Sequence, residues 1–91
     1  MYARNTTMLK AGYAPAADVA RALSKALSSI HRLVEDGYMK GTRDGRALYV
    51  DMDSAAAYFD ADGNHVLGDV CRKLKSEIVA EATTPANGAG R

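Results

Sequence analysis

The side chains that most often carry out chemistry are few and scattered in this sequence. Its only cysteine is Cys71 and its two histidines are His31 and His65, so no zinc-ligand set can be assembled at a recognised spacing. The run from Asp60 to Asn64 resembles the start of a calcium loop but lacks the terminal bidentate glutamate at the required distance. No glycine-rich phosphate loop, nucleophile elbow or paired catalytic carboxylate is present. We therefore expect no enzyme, no cofactor and no small-molecule ligand.

A helix predicted between Lys25 and Asp36 separates an apolar face from a polar one, because successive helical residues advance by about 100°. The apolar face holds Ala26, Leu27, Ile30, Leu33 and Val34. The opposite face holds Lys25, Ser28, Ser29, Arg32, Glu35 and Asp36. Short hydroxyls and long cations on one side of a helix suit insertion into a DNA groove. The alternative is a solvated protein surface, which Glu35 and Asp36 favour because carboxylates repel phosphate.

More cations follow in a predicted β-hairpin. Gly37 is expected to end the helix, since a residue without a β-carbon takes the left-handed conformation easily. Residues 38–42 and 46–50 flank Arg43-Asp44-Gly45, and Asp-Gly is a strong hairpin signal because both residues tolerate positive φ. The hairpin tip would present three cations: Lys40, Arg43 and Arg46. Because a short hairpin is hardly stable alone, it must pack on the helices.

Two further helices must position these groups. The first begins near Pro15, which is tolerated in a first helical turn, and Asp18 lies where the helix dipole favours an anion. It ends near Ser24, whose hydroxyl is expected to cap the second helix. Two helices joined this tightly must cross steeply. After the hairpin, a short helix over residues 55–59 has three candidate N-caps: Asp51, Asp53 and Ser54.

The last helix is predicted from residue 66 to about 82, after a polar turn. One apolar stripe runs along it: Leu67, Val70, Cys71, Leu74 and Ile78. The stripe either covers its own domain or pairs with a second copy in a dimer, and it is too short to identify a coiled coil. Cys71 on this stripe is expected to be a packed thiol. A lone cysteine excludes an internal disulfide and fits a reducing compartment.

Length and charge limit the number of domains and the kinds of partner that we expect for this chain. The 91 residues and 47% hydrophobic content are ordinary for one globular domain. No apolar run approaches the roughly 20 residues of a membrane span and no secretory signal is present, so we expect a cytoplasmic protein without a membrane partner. Residues 1–50 hold eight Lys/Arg against four Asp/Glu, a net charge of +4, while residues 51–91 hold four against seven, a net charge of −3. Any nucleic-acid contact should therefore be local to the first half.

A continuous set of motifs runs from the first helix to the short helix after the hairpin. It consists of Asp18-Val19-Ala20, Ile30-His31-Arg32-Leu33-Val34, Glu35-Asp36-Gly37-Tyr38, Leu48-Tyr49-Val50 and Asp51-Met52-Asp53-Ser54 followed by residues 55–59. In this order and spacing the motifs resemble the small winged helix-turn-helix domains of the MerR and phage-excisionase superfamily. The resemblance covers roughly residues 13–59 without a gap, and no single residue is diagnostic. The chain departs from the family pattern at Lys25 and Ala26, where a hydrophobic residue and a serine-type cap are usual.

The resemblance implies DNA binding, with the second helix in the major groove and the wing against the backbone or the minor groove. The residues that would then read base edges are Lys25, Ser28, Ser29 and Arg32. The wing residues that would contact phosphates, without carrying sequence information, are Lys40, Arg43 and Arg46.

We therefore expect a mainly α fold with a small β-hairpin, in which a winged helix-turn-helix over residues 13–59 precedes an additional C-terminal amphipathic helix within residues 60–82. Residues 1–12 are expected to form a flexible arm and residues 83–91 a disordered tail. The predicted function is sequence-specific binding of double-stranded DNA by a homodimer, as a transcriptional regulator or as an excisionase-like accessory factor of a phage or plasmid. The alternative is a protein-binding adaptor or inhibitor built on the same fold.

Overall fold

Short helices and strands alternate along the chain before it ends in its longest described helix. The computed structural model describes residues 4–83. Within these residues the elements are α1 (Thr6–Lys10), β1 (Tyr13–Pro15), α2 (Ala16–Leu23), α3 (Leu27–Glu35), β2 (Gly41–Asp44), β3 (Ala47–Asp51), α4 (Met52–Ala61) and α5 (His65–Thr83). Helices account for 64% of the described residues, which confirms a mainly α fold with a small β component. Of the predicted tail, Thr83 ends α5 and the rest lies outside the described residues.

β3 is the central strand of a three-stranded antiparallel sheet with the order β1-β3-β2. The pairing of β2 with β3 is the hairpin that the sequence predicts. β1 is a third strand that the sequence pattern does not predict. It pairs with β3 from Tyr13 opposite Asp51 to Pro15 opposite Tyr49. A three-residue strand that contains proline carries little sequence signal, and proline is tolerated here because β1 lies at the sheet edge. The third strand supplies packing that an isolated hairpin lacks.

The hairpin turn is shorter than predicted and ends one residue further along the chain. Asp44 is the last residue of β2 and lies opposite Ala47, so the loop consists of Gly45 and Arg46 alone. Gly45 has φ 63°, and a positive φ at the first of two loop residues is the pattern of a turn whose twist matches the flanking strands. The assignment of Arg43 and Asp44 to the turn is therefore wrong, because glycine must take the first loop position.

The turn between α2 and α3 also differs from the prediction. Ser24 does not cap α3; it follows α2 in the left-handed conformation, with φ 56° and ψ 41°. The N–H groups of Ser24 and Lys25 donate to the carbonyls of Arg21 and Ala20 at 3.2 and 2.9 Å. This pair of bonds is a Schellman motif, which ends α2 and leaves Ser24 and Lys25 outside both helices. α3 consequently begins only after Ala26, which makes no side-chain capping bond, and Lys25 lies in the turn instead of the helix.

The core lies between the sheet and the surrounding helices. Every element except β2 contributes a buried side chain, and the largest fully enclosed ones are Tyr49, Leu9, Ile30, Met52, Ile78, Val19, Val50 and Cys71. α5 packs against α4, α1 and α2. Asp51 ends β3 and caps α4 by accepting a hydrogen bond from the Asp53 N–H at 3.0 Å, as one of the three candidate caps was expected to do. None of the helices within residues 4–83 is long and apolar enough to cross a membrane.

The N-terminal segment forms a helix where the sequence predicts a flexible arm. Asn5 caps α1, since its side-chain oxygen accepts a hydrogen bond from the Met8 N–H at 3.1 Å. Leu9 on this helix is only 2% exposed and belongs to the core. Five helical residues are too few to show a sustained hydrophobic period, which is why the pattern conceals this element.

Leu9→Ala should lower the free energy of unfolding by about 2–4 kcal/mol, because the substitution removes a buried side chain and leaves a cavity. Thr7→Ala, at an exposed position of the same helix, should change it by less than about 0.5 kcal/mol. Urea denaturation followed by circular dichroism measures both values. Equally small effects of the two substitutions would mean that α1 is detached in solution, as a flexible arm requires.

Candidate nucleic-acid interface

The residues predicted to read bases are all at the surface. Ser28, Ser29 and Arg32 are exposed on α3, whereas Ile30 on the opposite side is fully buried. Lys25 is exposed in the turn that precedes the helix. α3 therefore presents a polar face whose orientation is fixed by the burial of Ile30.

The apolar face of α3 is narrower than predicted. Leu33 and Val34 are half-buried, but Ala26 and Leu27 are exposed, with 46% of the Leu27 surface accessible. Assigning these two residues to the buried face is therefore wrong. Helical periodicity gives the direction of a side chain but not how completely another element covers it: Ile30 in the first turn is fully buried, whereas Leu27 in the same turn keeps 46% of its surface exposed.

The four predicted base-reading residues line one groove of about 460 Å³ between α3 and the connection from α4 to α5. We call it the helix–corner groove, and its other lining residues are Leu33, Asp36, Tyr58, Phe59, Asp62, Asn64 and Leu67. Lys25 and Arg32 thus share the groove with the carboxylates of Asp36 and Asp62. Because Asp36 caps the C-terminal end of α3, the half of the helix better suited to a polyanion is the half near Lys25.

The hairpin carries the three predicted wing cations at exposed positions. Arg43 lies on β2 opposite Leu48, and Arg46 is in the two-residue loop. Lys40 precedes β2, where its N–H donates to the Ser54 hydroxyl at 2.9 Å and its carbonyl accepts from the Asp51 N–H at 2.9 Å. These backbone bonds fix the base of the hairpin to the start of α4 and leave the Lys40 side chain in solvent.

The hairpin is held between α3 and the N-terminal segment. A side chain at Gly41 would place its Cβ 2.8 Å from Cγ1 of Val34 and 3.1 Å from the Tyr49 carbonyl oxygen, so the close approach of β2 to α3 requires glycine. On the other side, Asn5 donates from its amide nitrogen to the Asp44 carboxylate at 3.0 Å and from its backbone to the Tyr49 hydroxyl at 3.0 Å. The wing is thereby positioned by contacts on both sides.

Ion pairs divide the cations of residues 4–83 into two groups. Four are held by carboxylates: Arg4, Arg21, Arg72 and Lys75. All five cations between residues 25 and 46 form no ion pair with another described residue: Lys25, Arg32, Lys40, Arg43 and Arg46. Elsewhere among residues 4–83, only Lys10 and Lys73 are also cations that form no ion pair with a described residue. The positive charge available to a partner is therefore concentrated on the turn, α3 and the hairpin.

The paired cations join helices on other parts of the surface. Arg4 lies between the carboxylates of Asp18 and Glu81, at 2.8 and 2.6 Å, and the hydrogen bond to Asp18 is the main reason that the pKa of the Arg4 guanidinium is raised. Arg72 on α5 binds Asp60 on α4 at 2.7 Å, which lowers the pKa of the Asp60 carboxyl. The charges of Arg4 and Arg72 are therefore neutralised by carboxylates of the same domain.

Nothing in the described chain is arranged for metal or thiol chemistry. No group of three or more His, Cys, Asp or Glu side chains that could hold a metal ion occurs among residues 4–83. Cys71 is fully buried, and this burial raises the pKa of its thiol to about 11. Burial thus favours the protonated thiol at neutral pH, as expected of a cysteine packed in the core.

The stripe predicted on the last helix is divided between the core and the surface. Cys71 and Ile78 are buried in their own domain, so these two residues cannot form a dimer seam. Leu67, Val70 and Leu74 are half-buried and pack against the edge of the core. The stripe therefore packs mainly within its own domain, because α1, α2 and α4 already contact α5.

A second groove, of about 520 Å³, lies on the other side of α3, between that helix, the start of α2 and the hairpin. We call it the helix–hairpin groove, and it is lined by Ala16, Ala17, Leu27, His31, Asp44, Arg46, Ala47 and Leu48. The sequence pattern does not predict this site, because it depends on the exposure of Leu27. The only signal in the sequence is the position of Leu27 at the edge of the apolar face.

Compared with models of protein families, with curated proteins and with solved structures, the chain has no match.

Gly41→Ala should lower the free energy of unfolding by about 1–3 kcal/mol, because the added methyl group overlaps Val34 and crowds the Tyr49 carbonyl. In a Val34→Ala background the same substitution should cost less, since the overlapping methyl group is gone. Chemical denaturation of the four proteins of this double-mutant cycle measures the difference. If Gly41→Ala has the same effect in both backgrounds, β2 does not approach α3 as described.

Proposed function

We propose that this protein binds double-stranded DNA sequence-specifically by placing α3 in the major groove and the β2–β3 hairpin against the backbone or the minor groove. The observation that carries the proposal is the concentration of five cations without ion pairs on the turn, α3 and the hairpin. Phosphate neutralisation by lysine and arginine supplies most of the affinity of such proteins. Cations on other elements are mostly neutralised by carboxylates, so a polyanion is directed to this one surface.

The arrangement of elements gives further support. Two helices joined by a tight turn and followed at once by a hairpin are what the resemblance to the MerR and excisionase superfamily predicts for a winged helix-turn-helix. In that arrangement the N-terminal part of the second helix contacts base edges. Ser28, Ser29 and Arg32 would read bases from α3. Lys25, which lies before the helix, joins Lys40, Arg43 and Arg46 as a phosphate contact.

Such a protein acts by occupying a DNA site, without chemistry of its own. We propose the role of a transcriptional regulator or of an excisionase-like accessory factor of a phage or plasmid.

Fluorescence anisotropy with a random duplex and with a duplex selected from a random pool tests the proposal. With four phosphate contacts, the logarithm of the binding constant should fall with the logarithm of salt concentration with a slope of about −4. Arg43→Ala should weaken binding to both duplexes alike and reduce the slope by about 1. Arg32→Ala should cost about 1–3 kcal/mol on the selected duplex only, since it removes a base contact.

Lys10→Ala is the matched control, because it removes an exposed cation on α1 and should leave both affinities unchanged. Failure of the wild-type protein to bind any duplex, or binding that ignores salt, would refute the proposal. An equal loss on both duplexes for Arg32→Ala would move that residue from base reading to phosphate contact.

The competing proposal is a protein-binding adaptor or inhibitor with the same fold. One observation favours it, namely the presence of three large apolar side chains at the surface: Leu27, Tyr38 and Val66, with 46%, 59% and 73% exposure. DNA binding through phosphates weakens steeply as salt rises, whereas an adaptor or inhibitor would show no salt-dependent binding of either duplex in the same titrations.

We further propose that the protein acts as a homodimer, with the half-buried part of the α5 stripe at the contact. Val70 and Leu74 line shallow depressions beside α2, next to the charged residues Lys73 and Glu77. A two-fold axis would bring Lys73 of each copy towards Glu77 of the other, and it would let the pair bind a palindrome.

Leu74→Glu should convert the dimer to monomers, because it places a carboxylate in the proposed apolar contact. Sedimentation velocity measures the change, and circular dichroism checks that the domain stays folded. Ala57→Glu, at an exposed position of α4, introduces the same charge elsewhere and should leave the dimer intact. A Leu74→Glu protein that is still dimeric would place the contact on another surface.

A further inference from the structure

The helix–corner groove holds charges of both signs that do not neutralise one another. Lys25 and Arg32 line it from α3 and the preceding turn, and the carboxylates of Asp36 and Asp62 line it as well. No ion pair joins either of these cations to either carboxylate. The cations keep hydrogen-bond donors available and the carboxylates keep acceptors available. The complementary occupant therefore presents both acceptors and donors.

Asp62 is fixed at the corner between α4 and α5 by its backbone. Its N–H donates to the Tyr58 carbonyl at 3.1 Å, and the next two N–H groups donate to the carbonyls of Asp60 and Phe59 at 3.0 and 2.7 Å. The Asp60 carboxylate is paired with Arg72. The exposed carboxylate of Asp62, in contrast, accepts no hydrogen bond from a described residue. A partner for this carboxylate must come from outside the domain.

In the proposed complex with DNA, base edges enter this groove, because the residues predicted to read bases line it. A carboxylate there repels phosphates, so it favours binding only where it meets a hydrogen-bond donor. The donors on the major-groove edge are the amino groups of cytosine and adenine. The adenine amino group lies beside the acceptor N7, which repels a carboxylate, whereas cytosine presents its amino group alone. Cytosine is therefore the base that suits Asp62.

The cations of the groove suit the base that pairs with cytosine. Guanine presents two neighbouring acceptors, O6 and N7, to the major groove, and the guanidinium of arginine can donate to both. Arg32 is the arginine of this groove. The two signs of charge thus match the two bases of one G·C pair.

We propose that Asp62 is a specificity-determining residue whose carboxylate accepts a hydrogen bond from the N4 amino group of a cytosine, while Arg32 donates to the guanine of that pair. This inference rests on the proposed DNA binding. It adds to that function a base contact from a residue outside α3 and the hairpin.

N4-methylcytosine tests the inference, because pairing with guanine uses its one remaining amino hydrogen and its methyl group replaces the hydrogen that faces the major groove. The probes are a duplex selected from a random pool by the wild-type protein and versions of it in which each cytosine in turn is replaced by N4-methylcytosine. Replacement at one position should weaken wild-type binding at least about fivefold, the lower end of the discrimination from one base contact.

Asp62→Ala should bind both forms of that duplex equally, since it removes the acceptor. It should also bind a random duplex more tightly than the wild-type protein does, because a carboxylate that repels phosphate is gone. Asp62→Asn, which keeps a carbonyl acceptor, should retain a difference between the two forms. Asp36→Ala is the matched control, because it removes the other carboxylate of the groove and should retain the fivefold difference.

Thermal unfolding checks that each variant is folded. If no duplex is selected, the proposed function itself fails. If a duplex is selected but none of its cytosines shows the effect of methylation, this inference is overturned while DNA binding stands. It is also overturned if the difference persists in Asp62→Ala, or if it disappears in Asp36→Ala instead.

Discussion

The pairing of β3 with strands on both of its sides joins parts of the chain that are distant in sequence. β1 brings the N-terminal segment to one side and β2 brings the hairpin to the other. Tyr49, at the centre of β3, is fully buried, and its hydroxyl is satisfied by the Asn5 N–H. Asp51 then ends the strand and caps α4. Without this strand a two-stranded hairpin would have marginal stability, and its cations would have no fixed position relative to α3.

Surface ion pairs contribute little to stability, typically about 0–1 kcal/mol each. Their main effect here is to neutralise charge on particular parts of the surface. Arg4 and Arg72 neutralise carboxylates on α2, α4 and α5, outside α3 and the hairpin. The net charge of the whole chain is only +1, yet the residues from Lys25 to Arg46 keep five cations without ion pairs among the described residues. A modest net charge is therefore compatible with a locally attractive surface for a polyanion.

Two grooves of different chemistry lie on either side of α3. The helix–corner groove is polar and includes the predicted base-reading residues together with Asp36 and Asp62. The helix–hairpin groove is mainly apolar and is centred on the exposed Leu27. The two sides of one nine-residue helix thus offer hydrogen-bonding groups and an apolar surface.

Local patterns in the sequence determined the mainly helical fold, the hairpin, a set of three candidate caps that includes Asp51, and the group of cations from Lys25 to Arg46, because each depends on neighbouring residues alone. The tertiary structure decided what depends on residues far apart in sequence: the strand β1, the helix around Leu9 and the ion pairs of the other cations. It also decided three local features that the pattern misplaced, the first of which is the hairpin loop at Gly45 and Arg46. The left-handed Ser24 delays the start of α3, and the exposure of Leu27 follows because periodicity specifies the direction of a side chain but not whether a neighbour covers it.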